Sequence, residues 1–332
     1  MTPVAVLGAG SWGTTLANLL ACQGREVRLW AYESEVVAAV NRERENPVFL
    51  PGVPLSARIR AFADPREAVR GAEVVVSVPP SHAVRAVIGG LGEAILPGTL
   101  VVSATKGIET DTLALMSQVF ADCLPRVRYA ALSGPSFATE VCQGQPTAVV
   151  AAASDEAVAQ AAQQVFATPA FRVYTNLDVI GVELAGALKN VIAIAAGIAE
   201  GLGMGHNPRA ALITRGLAEI TRLGIAMGAD PLTFAGLAGM GDLVLTATGS
   251  LSRNRSLGVA LGQGQSFEAY RASHRSVAEG ANTSLAGAEL SRRMGIELPI
   301  TAQVCAVLFR DKPPREAIAE LMGRELKAEQ WR

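Results

Sequence analysis

The chain has 332 residues, half of them hydrophobic, with 29 lysines and arginines against 30 aspartates and glutamates and a formal net charge of −1. That length holds two domains with large cores, and the balanced charge, without a basic block or polybasic amphipathic stretch, excludes a nucleic-acid or membrane-surface binder. Cys22, Cys123, Cys142 and Cys305 form no CxxC pair, and His82, His206 and His274 have no ligand spacing with them, so neither a disulfide framework nor a metal site is expected.

The N-terminus enters a strand without a basic region and cleavage site, and no uncharged apolar run is long enough to span a bilayer, so a reduced, soluble, cytoplasmic protein is expected. VAVLGAG (4–10) reads as a strand ending in glycines. SWGTTLANLLACQG follows with Leu16, Leu19 and Leu20 at helical spacing, and EVRLWAYE reads as a second strand. Gly8, Gly10 and Gly13 thus form GxGxxG inside a β-α-β unit, a dinucleotide-binding signature. The first glycine makes the tight turn, the second admits a pyrophosphate, and the third lets helix and strand pack closely. Glu33, about 20 residues further on at the end of the second strand, is placed to meet a ribose.

Downstream, AEVVVSVP (72–79) and TLVVSATKG (99–107) read as buried parallel strands. RYAALSGPSFATE (128–140) is a strand entering a turn, and 146–153 and 171–175 are late strands. Ligands of a doubly wound sheet lie beyond the carboxyl ends of its strands, which groups Pro79, Lys106 and the turn from Gly134 to Ala138 at one crevice. After Asn176 the strand signal fades. Helices are expected over 179–200, over 208–227 with Pro208 in the first position, and over 277–294. Residues 236–258 read as a loop or broken helix carrying Asp242, Arg253 and Asn254, where an arginine beside Ser252 and Asn254 suits a phosphate. The fold class is therefore an α/β Rossmann-type N-terminal domain (1–177) with an all-helical C-terminal domain (178–332).

Within the first of these helices, ELAGALKNVIAIAAG (183–197) is apolar nearly all round except for Glu183, Lys189 and Asn190. Burying a lone ammonium is costly. Either Lys189 snorkels to the surface, or it is paired, shifted in pKa, or faces a polar cavity.

The segments GAGSWGTTLA, SATKGIE, SGPSFATE, ELAGALKNVIAIAAG, ITRGLAEI, GLAGMGDLVLT, SRNRSLG and VAEG, in order over nearly the whole chain, resemble the bacterial NAD(P)-dependent sn-glycerol-3-phosphate dehydrogenases. The resemblance implies NAD or NADP as cofactor, a homodimer, and interconversion of glycerol 3-phosphate with dihydroxyacetone phosphate, supplying the phospholipid backbone. It implies dinucleotide contacts at Ser11, Trp12, Tyr32, Lys106, Ala138, Arg253, Val277 and Glu279. It places Lys106, Gly134, Ser136, Lys189, Asp242, Ser252, Arg253 and Asn254 around the substrate, with Lys189 as proton acceptor. Many relatives have SGPTFA where this chain has SGPSFA, which keeps the hydroxyl. The chemistry is coherent: oxidising a secondary alcohol needs a base, and an amine becomes one near neutral pH when desolvation and a second cation lower its pKa. Two rival readings are a related dehydrogenase acting on a β-hydroxyacid or ketopantoate, and a dinucleotide sensor without turnover. The SRNR segment favours a phosphorylated substrate over the first.

Overall fold

Runs such as VAVL, VVVS and LVVS are buried along their whole length, the mark of strands covered on both faces. The computed structural model describes residues 3–274, 278–326 and 328–329. Its strands are β1 (Val4–Leu7), β2 (Val27–Trp30), β3 (Ile59–Phe62), β4 (Val74–Ser77), β5 (Leu100–Ser103), β6 (Arg128–Ser133), β7 (Thr147–Ala152) and β8 (Phe171–Asn176). They form one sheet in the order β3-β2-β1-β4-β5-β6-β7-β8. Every neighbouring pair is parallel except β6 and β7. The order reverses between β1 and β4, which opens a crevice at their carboxyl ends.

The helices among these strands are α1 (Ser11–Cys22), α2 (Ser34–Glu43), α3 (Pro65–Val69), α4 (Ser81–Gly89), α5 (Met116–Cys123), α6 (Ala138–Cys142) and α7 (Glu156–Phe166). They cover both faces: Leu16, Leu20, Ala162 and Phe166 pack on Val6, Val76 and Val102, while Val84, Ile88, Val119 and Phe120 pack on Ala5, Val75 and Val101.

Beyond β8 come α8 (Val179–Gly201), α9 (His206–Ala226), α10 (Pro231–Ala235), α11 (Asp242–Thr248), α12 (Arg253–Gly262), α13 (Phe267–Ser273), α14 (Glu279–Met294), α15 (Pro299–Phe309) and α16 (Pro314–Met322). α8 is their hub and is buried from Gly181 to Ala199. It has the length and hydropathy of a bilayer-spanning helix, yet 89% of its most apolar window is packed inside the protein. α12 lies against it backbone to backbone. A Cβ on Gly197 would overlap Arg255 O and sit 2.9 Å from the Gly258 Cα, and one on Gly258 would overlap Ile194 O. Four glycines (Gly197, Gly201, Gly258 and Gly262) make this approach possible and so fix the start of α12 beside Lys189.

One expectation changes, one open alternative is settled, and one strand goes unannounced by the sequence. The short strand β3 has too little alternation to stand out in the sequence. Residues 236–258 form a broken helix: a π-helical turn (Leu237–Gly241) runs into α11, and α12 follows. α9 begins at His206, so Pro208 is its third residue rather than its first. Proline is tolerated there because first-turn amides have no partner within the helix.

Candidate active site

The carboxyl ends of β1 and β4, the start of α1 and the helices of the second half enclose a cleft of about 730 Å³. Gly8 turns the chain with φ +104°, and a Cβ there would lie 3.0 Å from Pro79 N. Beyond Gly10 there is open space, and a Cβ on Gly13 would overlap Gly8 O. Gly10 caps α1 without any side-chain hydrogen bond, which leaves the first-turn amides as donors. This cradle fits a dinucleotide pyrophosphate. Tyr32, 85% exposed, and Glu33 line the cleft beyond β2. Glu33 caps α2 through its backbone carbonyl, which accepts from the Val36 and Val37 amides, but its side chain makes no capping hydrogen bond, so its carboxylate is not committed to that helix.

On the opposite wall, Lys189 does not snorkel: it is 5% exposed. Its Nζ lies 3.2 Å from Asp242 Oδ1 and donates to Thr246 Oγ1 at 2.7 Å and Asn190 Oδ1 at 3.2 Å. Asp242 Oδ2 lies 2.6 Å from Lys106 Nζ, which also donates to Gly134 O at 3.0 Å. Asn254 Nδ2 donates to Asn190 Oδ1 at 2.9 Å, and Asn254 Oδ1 accepts from the Gly280 amide. One polar network thus runs from the sheet through Lys106, Asp242 and Lys189 to the starts of α12 and α14. Burial lowers the Lys189 amine to about 8, with Lys106 and Arg253 pushing the same way and Asp242 opposing them.

Of the residues singled out in the sequence, Gly8, Gly10, Ser11, Trp12, Gly13, Tyr32, Glu33, Lys106, Ser136, Ala138, Lys189, Asp242, Ser252, Arg253, Asn254 and Glu279 all line this cleft. Gly134 stands behind it through its carbonyl. Val277 lies outside the described residues. Two hydroxyls are already engaged: Ser11 Oγ donates to Phe49 O, and Ser252 Oγ caps α12 through the Arg255 amide. Asn190 and Thr246 were given no role in the sequence reading. Asn190 directly follows Lys189, and Thr246 is four residues beyond Asp242, on the same helix face. Among the described residues no cluster could hold a metal ion.

A glycine-turn cradle facing a buried lysine across a two-part cleft defines a dinucleotide-dependent dehydrogenase. Sequence profiles of the NAD-dependent glycerol-3-phosphate dehydrogenase N-terminus and C-terminus match residues 3–159 and 178–319. The chain belongs to this family. It is 57% identical to a glycerol-3-phosphate dehydrogenase of the NAD(P)+ type from Geobacter sulfurreducens over 99% of both chains. It is 52% identical to one from Nitratidesulfovibrio vulgaris over 98% of this chain and 99% of the relative. A crystal structure of glycerol-3-phosphate dehydrogenase from Coxiella burnetii matches with TM-score 0.93 at 42% identity, covering 97% of this chain and 99% of that one. A ketopantoate reductase from Ralstonia eutropha, at 19% identity and TM-score 0.62 over 96% of this chain and all of that one, shares the fold alone.

Proposed function

We propose that this chain interconverts sn-glycerol 3-phosphate and dihydroxyacetone phosphate with NAD or NADP. The observation that carries this reading is the buried Lys189–Asp242–Lys106 cluster beside Arg253 and Asn254. Lys106, Lys189 and Arg253 outnumber the carboxylates of Asp242 and Glu279 beside them, which gives a positive site in a chain of net charge −1, suited to a phosphate dianion.

The turn at Gly8, Gly10, Ser11, Trp12 and Gly13 holds the pyrophosphate through backbone amides. Tyr32 and Glu33 meet the adenosine end, and Lys106, Ala138, Arg253, Val277 and Glu279 the remainder. The bound dinucleotide supplies the hydride acceptor or, in reverse, the donor. Arg253 and Asn254, with the Ser252 backbone, grip the substrate phosphate, while Gly134 and Ser136 border its carbon chain. Neutral Lys189 takes the hydroxyl proton as the carbonyl forms. In the reduction its ammonium returns that proton to the developing alkoxide. Asp242 holds Lys189 and Lys106 apart in fixed places, and Thr246 and Asn190 orient the amine.

Residues 1–177 and 178–332 are the two working units. This division is supported by β8 ending at Asn176 and by the second family profile starting at residue 178. A homodimer, a cytoplasmic location and supply of glycerol 3-phosphate to phospholipid synthesis complete the reading on the strength of the family.

The test is oxidation of NADH and NADPH by the purified chain with dihydroxyacetone phosphate, dihydroxyacetone or ketopantoate. Turnover of the phosphorylated ketone alone is expected. Equal turnover of dihydroxyacetone would remove the phosphate assignment, and preference for ketopantoate would replace the substrate. Dinucleotide binding without turnover of any of them would make the chain a sensor.

A further inference from the structure

Glu279, the first residue of α14, reaches across the cleft to the start of α4. Its Oε2 accepts from Ser81 Oγ at 2.7 Å and its Oε1 from the Ser81 amide at 3.3 Å. Ser81 is 1% exposed and opens α4, whose N-cap, Pro80, has no side-chain oxygen to offer. A carboxylate from the other half of the molecule therefore satisfies the amide end of this helix, with the helix dipole favouring its charge. Gly107, next to Lys106, lies under the contact. A Cβ there would stand 2.5 Å from both the Cβ and Oγ of Ser81 and 3.3 Å from Glu279 Oε2. Glu279, Pro79, Pro80, His82 and Lys106 all line the same cleft.

We propose that Ser81 is a positioning residue for dinucleotide binding: its two hydrogen bonds fix Glu279 in place at the cleft, and Gly107 keeps open the space in which they meet. This rests on the reading that the cleft takes a dinucleotide and that Glu279 touches it. Among the described residues the Ser81 hydroxyl and amide bond to Glu279 and to none of Lys106, Lys189, Asp242 or Asn254, so Ser81 meets the substrate side only through Glu279. Its loss therefore weakens dinucleotide binding and leaves the substrate KM alone, whereas a merely structural tie would lower the melting point and leave binding unchanged.

NADH titration by quenching of protein fluorescence tests this, since Trp12 and Trp30 line the cleft. Ser81→Ala should raise the NADH Kd about tenfold, the scale of one charge-assisted hydrogen bond, with the KM for dihydroxyacetone phosphate within about twofold of wild type. Ser81→Thr should restore binding. Combining Ser81→Ala with Glu279→Gln should weaken binding no more than the worse single change, because the two act as one unit. In the dinucleotide-free protein, hydrogen exchange at the Ser81 amide should accelerate in Glu279→Ala. Multiplying effects in the double variant, or a Ser81→Ala Kd within twofold of wild type, would overturn the proposal while the dinucleotide reading stands. A wild-type chain that binds neither NADH nor NADPH would remove both.

Discussion

Lys189 shows how a single side chain acquires its chemistry from its surroundings. Its free amine would titrate near 10.5, and in the folded chain it does so at about 8. Between those values the unfolded chain binds more protons than the folded one. Stability therefore rises with pH across that window, and below about 8 the full cost of the buried ammonium is present. Lys189→Met removes that cost and fills a similar volume, so its melting temperature at pH 7 should equal or exceed that of wild type. Single-turnover hydride transfer, followed by nicotinamide absorbance, should fall by roughly 10²- to 10⁴-fold in the same variant. The rise of kcat/KM for glycerol 3-phosphate with pH should vanish with it. A variant within about threefold of wild type would remove Lys189 from the proton step. At this scale the sequence was informative, because a lysine amid small apolar residues is costly unless paired, and the fold pairs it with Asp242, Thr246 and Asn190. Asn190 and Thr246 were silent because their hydroxyl and amide serve many ordinary purposes, and only the fold brings them to one amine.

At the scale of elements, two helices hold the site. α12 is set by glycines, so Gly258→Ala should drive its Cβ into the Ile194 carbonyl and push α12 off α8. We expect about 1–3 kcal/mol of destabilisation by urea unfolding, together with a raised KM for dihydroxyacetone phosphate as Arg253 and Asn254 move. A silent substitution would show that the helices can part freely. α8 is tied to the sheet half by Glu183, which accepts from the Ser117 amide and hydroxyl and from Tyr129 Oη. Burial raises this carboxyl to about 7 against those hydrogen bonds. The folded chain then binds the extra proton between about 4.5 and 7. The contribution is present below pH 4.5 and is lost, on the order of 3 kcal/mol, as pH rises to 7. Glu183→Gln can keep the same partners, with its amide donating to Ser117 Oγ, and should flatten that part of the stability profile. An unchanged slope in chemical denaturation would refute the assignment. The helices α8, α9 and α14 were legible from hydrophobic periodicity to within a few residues. β3 and the π-helical turn were not, since four residues carry little period and a π turn is selected by packing rather than by spacing.

Over the whole molecule, the cleft is built from both halves, so a dinucleotide that bridges them should stabilise the chain as a unit. At a hundredfold excess of NADH over its Kd, about 2.7 kcal/mol is expected. Calorimetry should show the transition moving up as a whole, whereas a shift confined to one of two separate transitions would mean that the ligand grips one half only. The two-part architecture was visible in the sequence as strand patterns giving way to helical ones. The position of the crevice depends on strand order, which pairs β1 with β4 across some seventy residues and leaves no local trace. The burial of α8 has a further consequence during synthesis. α12 starts 52 residues after α8 ends, so at about 5–20 residues per second the ribosome leaves this apolar helix without that cover for roughly 3–10 s. In that interval it has the length and hydropathy of a membrane anchor. Lys189 sits near its middle, where a lysine opposes insertion by roughly 2.5–3.5 kcal/mol. The same charge that is proposed for proton transfer in the folded site thus disfavours membrane insertion of the nascent segment.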